Sequence, residues 1–223
     1  MRLLPESKKY WAPIEWIRTD ICKQYSHAQS VLEIGPGYTP LDISTHFIDN
    51  KVELKNIQNL DIDVENLNYP NQSFDFVYCR HVLEDIQNPN HIFNEMIRVA
   101  RDGYIETPSP LIECTNGAES DDFKGYIHHR YIVWTESETN TLCFLPKYPM
   151  IENIHFNDDL LYLLEVDLYW NNYYYWDINN KPNIRMYKHG CNMNICKDYI
   201  DLINQAITAS IKHTNQLKFK KLF

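Results

Sequence analysis

The run VLEIGPG, residues 31–37, limits the fold more than any other stretch of the chain. A short apolar segment ends on two glycines around a proline, the pattern of a buried strand that turns sharply at its carboxyl end. Only six glycines occur in 223 residues, so each is expected where the backbone needs its freedom. Such a bend is either a tight turn or a place where backbone amides come close to a ligand. Around it the sequence alternates. STHFID, NIQNLDID, SFDFVYC and YIETP read as short strands. Trp11, Ile14, Ile17, Ile21, Cys22 and Tyr25 form a helical stripe entered through Pro13. Ile92, Phe93, Met96, Ile97 and Ala100 form a second stripe, with RDG as its stop. This alternation predicts an α/β fold: a Rossmann-like, doubly wound, mostly parallel sheet with helices on both faces. Residues 37–45 are too few for a crossover helix, so the first connection is expected to be a tight loop.

Beyond Pro110 the texture changes. A polar loop is followed by YIHHRYIVW, TLCFLP, VDLYWNNYYYW and NIRMY, aromatic-rich strand candidates interrupted by a helix near residues 158–164. Ile200, Ile203, Ile207 and Ile211 predict a closing helix. With no repeat and no linker, the expectation is one domain over residues 1–223, with a core of about 10–110 and a β-rich C-terminal addition over about 111–223.

Charge and composition exclude several function classes. A net charge of −9 disfavours a nucleic-acid partner. The basic tail, Lys212 to Lys221, is expected to be solvated. No segment reaches the ~18 apolar residues of a membrane span, and MRLLPESKKYW lacks the apolar centre of a signal peptide. These features predict a cytoplasmic protein without a membrane partner, whose scattered cysteines are reduced thiols. HGCNMNIC, residues 189–196, approaches zinc spacing, but no second Cys/His pair follows it, and no metal is assigned.

The chemistry of the bend narrows its ligand. A dinucleotide fingerprint needs a third glycine three residues after the second, and that position is Pro40. Glu33 points elsewhere. It sits at the carboxyl end of the first strand, where ligands of open α/β sheets bind, and an acid inside an apolar strand costs several kcal/mol unless it is paired. An ammonium group would satisfy it, directly or through water. S-adenosylmethionine carries an ammonium, ribose hydroxyls that suit a carboxylate after the second strand, and an adenine amino group that suits one after the third. Asp49 ends STHFID and Asp63 ends NLDID. Asp49 also fits a turn cap, and Asp63 a surface acid.

Taken in order, these segments resemble the class I S-adenosylmethionine-dependent methyltransferases. VLEIGPG is similar to the family's first motif and FID to its second. DVENLNYPNQSFDFVYCRHVLEDIQNP, residues 63–89, resembles the aspartate, the Leu-Pro-Phe-like step, the Ser-Phe-Asp strand and the His-x-Leu-Glu turn. EMIRVARDGYIETPSP, residues 95–110, looks like the helix and fifth strand. Asn68 replaces the proline of the Leu-Pro-Phe step. The resemblance implies transferase activity and S-adenosylmethionine as cofactor, held by Glu33, Gly35, Gly37, Asp49, Asp63, Val64 and Arg80. Asp75 is expected to fix the start of its strand.

In methyl transfer the enzyme aligns a nucleophile with the S–CH3 bond and excludes water, and orientation alone supplies several kcal/mol. A hydroxyl acceptor benefits from a general base. His81, His128, His129 and Glu106 are the candidates. His128 and His129 are expected to alternate on a strand, and the aromatics of YWNNYYYW either pack between layers or stack on substrate. The expected substrate is a small polar molecule such as a sugar or sugar derivative. Two alternatives stay open at this point: a non-catalytic protein that binds S-adenosylmethionine or S-adenosylhomocysteine as a partner or regulator, and a methyltransferase acting on a protein or nucleic acid.

Overall fold

The computed structural model describes residues 4–5, 7–49, 57–58, 66–177, 179–188 and 195–219. In chain order the elements are α1 (Glu15–Gln24), β1 (Val31–Ile34), β2 (His46–Ile48), β3 (Ile57–Gln58), β4 (Phe74–Arg80), α2 (Pro89–Val99), β5 (Ala100–Pro108), α3 (Pro110–Glu113), β6 (Tyr131–Glu136), β7 (Thr141–Pro146), β8 (Asn171–Trp176), β9 (Asn183–Met186) and α4 (Ile195–Phe219). Three 3-10 segments, Pro149–Asn153, Asp158–Glu165 and Asp167–Tyr169, join β7 to β8.

The main sheet has the order β3-β2-β1-β4-β5-β8. Its first five strands are parallel, and β8 closes the edge antiparallel to β5. Alternation along the strands separates two cores. Val31, Phe76, Tyr78, Tyr104 and Tyr173 face α1, where Ile17, Ile21 and Tyr25 cover them. Leu32, Val77, Cys79 and Ile105 face the other way, onto Ile92, Phe93 and Met96 of α2. Helices thus cover both faces of a mostly parallel sheet, as the alternating pattern predicts. The β1–β2 connection contains no helix and turns over residues 35–45, also as expected.

The β-rich addition forms a second sheet, β6-β7-β9. One of its faces joins the α2 core through Val133, Leu142 and Phe144. Its other face, with Ile132, Trp134, Cys143 and Leu145, is covered by Tyr199, Ile203, Ala206 and Ile207 of α4.

Several expectations are corrected. Trp11 is outside α1 and 54% exposed, because the helix starts only after Ile14. α2 stops at Val99, at RDG as expected, but the strand does not wait for YIETP: β5 starts at Ala100, and Gly103 lies inside it. There a Cβ would stand 2.2 Å from the Trp176 ring, so the glycine makes room for that indole. The strand expected at YIHHRYIVW begins only at Tyr131, leaving His128 and His129 in the preceding turn. The helix near residue 158 is of the 3-10 kind. The aromatics of β8 are packing residues, with Tyr173, Tyr174 and Trp176 each about 1% exposed. The basic tail is helical through Phe219 with Lys212 and Lys218 exposed, as expected, and Lys218 donates to the Tyr169 hydroxyl. Cys22, Cys79, Cys114 and Cys143 are free thiols. Cys191 and the rest of residues 189–194 lie outside the described residues, as do Asp63 and Val64. Among the described residues no helix is long and apolar enough to cross a membrane.

Candidate active site

In an open parallel sheet, ligands bind outside the carboxyl ends of the strands where the strand order reverses. Here that point lies between β1 and β4. The GPG bend leaves β1, and Arg80 and His81 leave β4.

The backbone at the bend matches its glycines. Gly35 has φ +74° and Gly37 φ +52°. The Gly35 amide donates to the Ile48 carbonyl at 2.9 Å, tying the bend to β2. A Cβ on Gly35 would stand 2.3 Å from Val82 and 3.1 Å from the Arg80 carbonyl, so the β4 exit loop lies directly against the bend. At Gly37 a Cβ would meet nothing within 4 Å. Beside that open space, Asp49, buried at the end of β2, accepts a long bond from the Gly37 amide at 3.4 Å.

Glu33 is buried, and its carboxylate accepts from the Leu41 amide at 2.9 Å and from the Ser44 hydroxyl at 2.6 Å. Burial raises its pKa, and the two hydrogen bonds counteract only part of this. The acid therefore pins the loop that carries Gly37. Arg18 of α1 clamps the same loop, donating to the carbonyls of Thr39 and Pro40 at 2.6 and 2.7 Å. Sequence reasoning missed Arg18 and Ser44, which carry no local signal.

On the β4 side, Arg80 donates through Nε to Glu106 Oε1 at 2.8 Å and also to the Trp11 carbonyl. Burial would lower its pKa, but the Glu106 charge outweighs this and raises it. Glu106 further accepts from the Tyr104 hydroxyl at 2.7 Å and Asn171 Nδ2 at 2.9 Å. Its two oxygens thus have three donors within the protein. Asp75 behaves as expected, accepting from the amides of Gln29 and Ser30 and from Arg101 at the head of β1 and β4.

His81 takes the left-handed conformation, φ +51°, uncommon for a residue with a side chain. Its amide donates to the Glu106 carbonyl at 2.9 Å. Its Nδ1 stands 3.2 Å from Glu84 Oε1, outside hydrogen-bond geometry. His81 Nε2, both Glu84 oxygens and the Tyr126 hydroxyl are buried atoms without a hydrogen-bond partner. Burial, then the Arg80 charge, pushes His81 down to about 3, so its imidazole is neutral near pH 7. Burial raises Glu84 to about 7. Glu84, missed as a site residue, lies in the quoted His-x-Leu-Glu turn.

The turn before β6 comes to this group because the amides of Arg130 and Tyr131 donate to the Glu84 carbonyl. His129 is buried, and its Nδ1 is 2.6 Å from Glu113 Oε1. Lys147 donates to Glu113 Oε2, also at 2.6 Å. Burial opposes the charge on His129, but Glu113 outweighs it and raises the pKa to about 9. Burial opposes ionisation of Glu113 too, and His129 and Lys147 overcome that to lower it. His128 is half exposed, 3.9 Å from Asp85 and 3.5 Å from Glu119. The structure thus gathers His81, Glu84, His129, Arg80 and Glu106 beyond the carboxyl ends of β4 and β5, with Gly35, Gly37 and Asp49 in the segments that follow β1 and β2.

A family model for the methyltransferase domain matches residues 22–105. A search of curated proteins finds no match. Solved structures similar to this chain include a chain of the complex between the Haloferax volcanii Trm112 methyltransferase activator and a methyltransferase, at 14% identity and TM-score 0.30, covering 43% of this chain and 58% of that one. A SAM-dependent methyltransferase from Aquifex aeolicus is similar at 18% identity and TM-score 0.32, covering 48% and 74%. The N-terminal domain of EvdMO1, solved in the presence of SAH and D-fucose, is similar at 13% identity and TM-score 0.34, covering 79% and 70%. The chain therefore spans a little over half of the first of these relatives. The domain match bears out the resemblance to the class I S-adenosylmethionine-dependent methyltransferases, and with it S-adenosylmethionine as the cofactor.

Proposed function

We propose, from the methyltransferase domain matched over residues 22–105, that this chain transfers the methyl group of S-adenosylmethionine to a hydroxyl of a small polar acceptor such as a sugar derivative. The observation that carries the reading is the meeting of the GPG bend with the β4 exit at the reversal of strand order. Open space over Gly37, next to the buried carboxylate of Asp49, fits a nucleoside whose ribose offers two donors. Gly35, Gly37 and Asp49 would hold the cofactor, and Glu33 and Arg18 keep their loop in place. Asp63 and Val64 complete the adenine side in this reading. Bound there, the cofactor supplies an electrophilic methyl group.

The chain's own part is to orient and desolvate the acceptor. His81 has an unbonded Nε2, 3.8 Å from Glu106 Oε1, with Glu84 behind its Nδ1 at 3.2 Å. A neutral imidazole so placed accepts the acceptor's hydroxyl hydrogen, and the carboxylate behind it favours the charge that develops. The unbonded Tyr126 hydroxyl gives the same space a second polar contact. Arg80 and Glu106 are consumed by their mutual bond and act as the wall of the site. His129 is committed to Glu113, and His128 lies outside the buried group.

Two measurements test the reading. In thermal denaturation, S-adenosylmethionine or S-adenosylhomocysteine at 100 to 1,000 times Kd stabilises the protein by about 2.7–4.1 kcal/mol; no shift at any concentration overturns the cofactor site. Asp49→Ala weakens that binding, whereas His81→Ala leaves it intact. A labelled-methyl assay against sugars, nucleotide sugars, peptides and RNA then finds incorporation into a sugar-class acceptor, lowered about 100-fold or more by His81→Ala. Silence in every pool despite cofactor binding would favour a binding protein without transferase activity.

A further inference from the structure

We infer that Asp85, His128 and His129 form a binding site for a divalent transition-metal ion of the zinc type at the mouth of this cleft. One carboxylate stands between two imidazoles: Asp85 Oδ2 is 3.9 Å from His128 Nε2, and Asp85 Oδ1 is 3.7 Å from His129 Nε2. One ligand atom from each of the three residues lies within 4.8 Å of the other two. Ligands about 2.0–2.1 Å from a tetrahedral zinc ion stand about 3.4 Å from one another, so the three ligand atoms, now within 4.8 Å, must draw together by up to about 1.4 Å when an ion binds.

The far nitrogens of both rings supply an independent observation. His129 Nδ1 meets the buried Glu113 carboxylate at 2.6 Å, and His128 Nδ1 faces Glu119 Oε1 at 3.5 Å. A carboxylate behind Nδ1 keeps one ring proton there, so that Nε2, once its own proton is displaced by the ion, is the ligating atom, which is how zinc-ligating histidines are oriented. The bond is made at His129, His128 has only the longer approach to Glu119, and both Nε2 atoms converge on the same acid. Lys147 pairs with Glu113, and the carboxylates of Asp85 and Glu119 stand beside the two rings. Two imidazoles and one carboxylate suit zinc better than magnesium or calcium, which prefer oxygen ligands alone, and leave one coordination position open. His129 and Glu113 are buried and fixed while Asp85 and His128 reach the surface, so an ion has both a rigid seat and an entry path. The sequence assigns no metal because Asp85 and the histidine pair are far apart along the chain. The Arg130 and Tyr131 amides, which donate to the Glu84 carbonyl, and Arg130 Nε, which donates to the Asp85 carbonyl at 2.8 Å, bring them together.

The test uses the full chain, stripped with a chelator and titrated with Co2+ by visible absorption and with Zn2+ in competition with a chromophoric chelator. One equivalent binds, with the intense bands of a four-coordinate cobalt site. Asp85→Asn and His128→Ala, both at surface positions and checked for folding by circular dichroism, lose stoichiometric binding, whereas His91→Ala keeps it. Glu113→Gln, a positioning change, weakens binding about 10- to 100-fold without altering the character of the bands. Absence of one-equivalent binding in the wild type, or its survival in both Asp85→Asn and His128→Ala, overturns the site. The readout is metal binding alone, so a failed S-adenosylmethionine shift would leave this inference standing.

Discussion

Glu33 decides how the glycine bend is held. Its carboxylate is 1% exposed and is satisfied by one amide and one hydroxyl from the loop it faces. Glu33→Ala leaves that amide and hydroxyl without their acceptor and is expected to cost about 1–3 kcal/mol in urea denaturation. Glu33→Gln retains an acceptor oxygen and should cost less. The two forms differ in their pH dependence. Burial holds the Glu33 pKa above its unfolded value, so the stability linked to its protonated form is fully present below the unfolded pKa and is lost as pH rises through the folded one. Denaturation midpoints from pH 4 to pH 8 should therefore shift in favour of Glu33→Gln relative to wild type as pH rises; a constant difference would contradict this. At this scale the sequence is partly readable. An acid inside VLEIG calls for a partner, and the loop supplies Leu41 and Ser44. Arg18 and Glu113 were not readable as parts of the site, because each acquires its role from a partner on another element, whereas Glu84 was missed although it stands three residues from His81 in the quoted turn.

At the scale of elements, strands and helices were readable wherever apolar period and turn residues agreed, and misread where a distant contact overrode the local signal. RDG looks like a break between helix and strand because glycine and aspartate are turn residues. In the fold, Gly103 pairs with Val77 on one side and Trp176 on the other, in the middle of the sheet. A Cβ there would lie 2.2 Å from the Trp176 ring and 2.7 Å from Val77. Gly103→Ala is expected to destabilise the protein by about 1–3 kcal/mol through overpacking, and Trp176→Leu in the same chain should recover part of that loss. Equal losses for the single and double variants would exclude the steric explanation. The turn holding His128 and His129 was misread for a similar reason. The amides of Arg130 and Tyr131 bond to the Glu84 carbonyl, so strand pairing starts one residue after Arg130 and the histidines stay over the cleft.

For the whole molecule, the change of texture after Pro110 marked an addition, but nothing local showed how it attaches. β8 supplies the edge of the main sheet, hydrogen-bonded to β5 from Gly103 to Pro108. Val133, Leu142, Phe144, Tyr174 and Trp176 pack in one cluster with Val77, Ile105, Phe93 and Met96. Residues from both halves thus make a common core, and neither half buries its apolar face without the other. We propose that residues 1–223 fold as one cooperative unit. The full chain should lose far-UV and near-UV circular dichroism in a single coincident urea transition. A chain ending at residue 110 exposes the β5 edge and the α2-side aromatic cluster, and should be either unfolded or aggregated. Two resolved transitions in the full chain, or a monomeric folded fragment over residues 1–110, would show instead that the addition is a separate domain resting on an independent core.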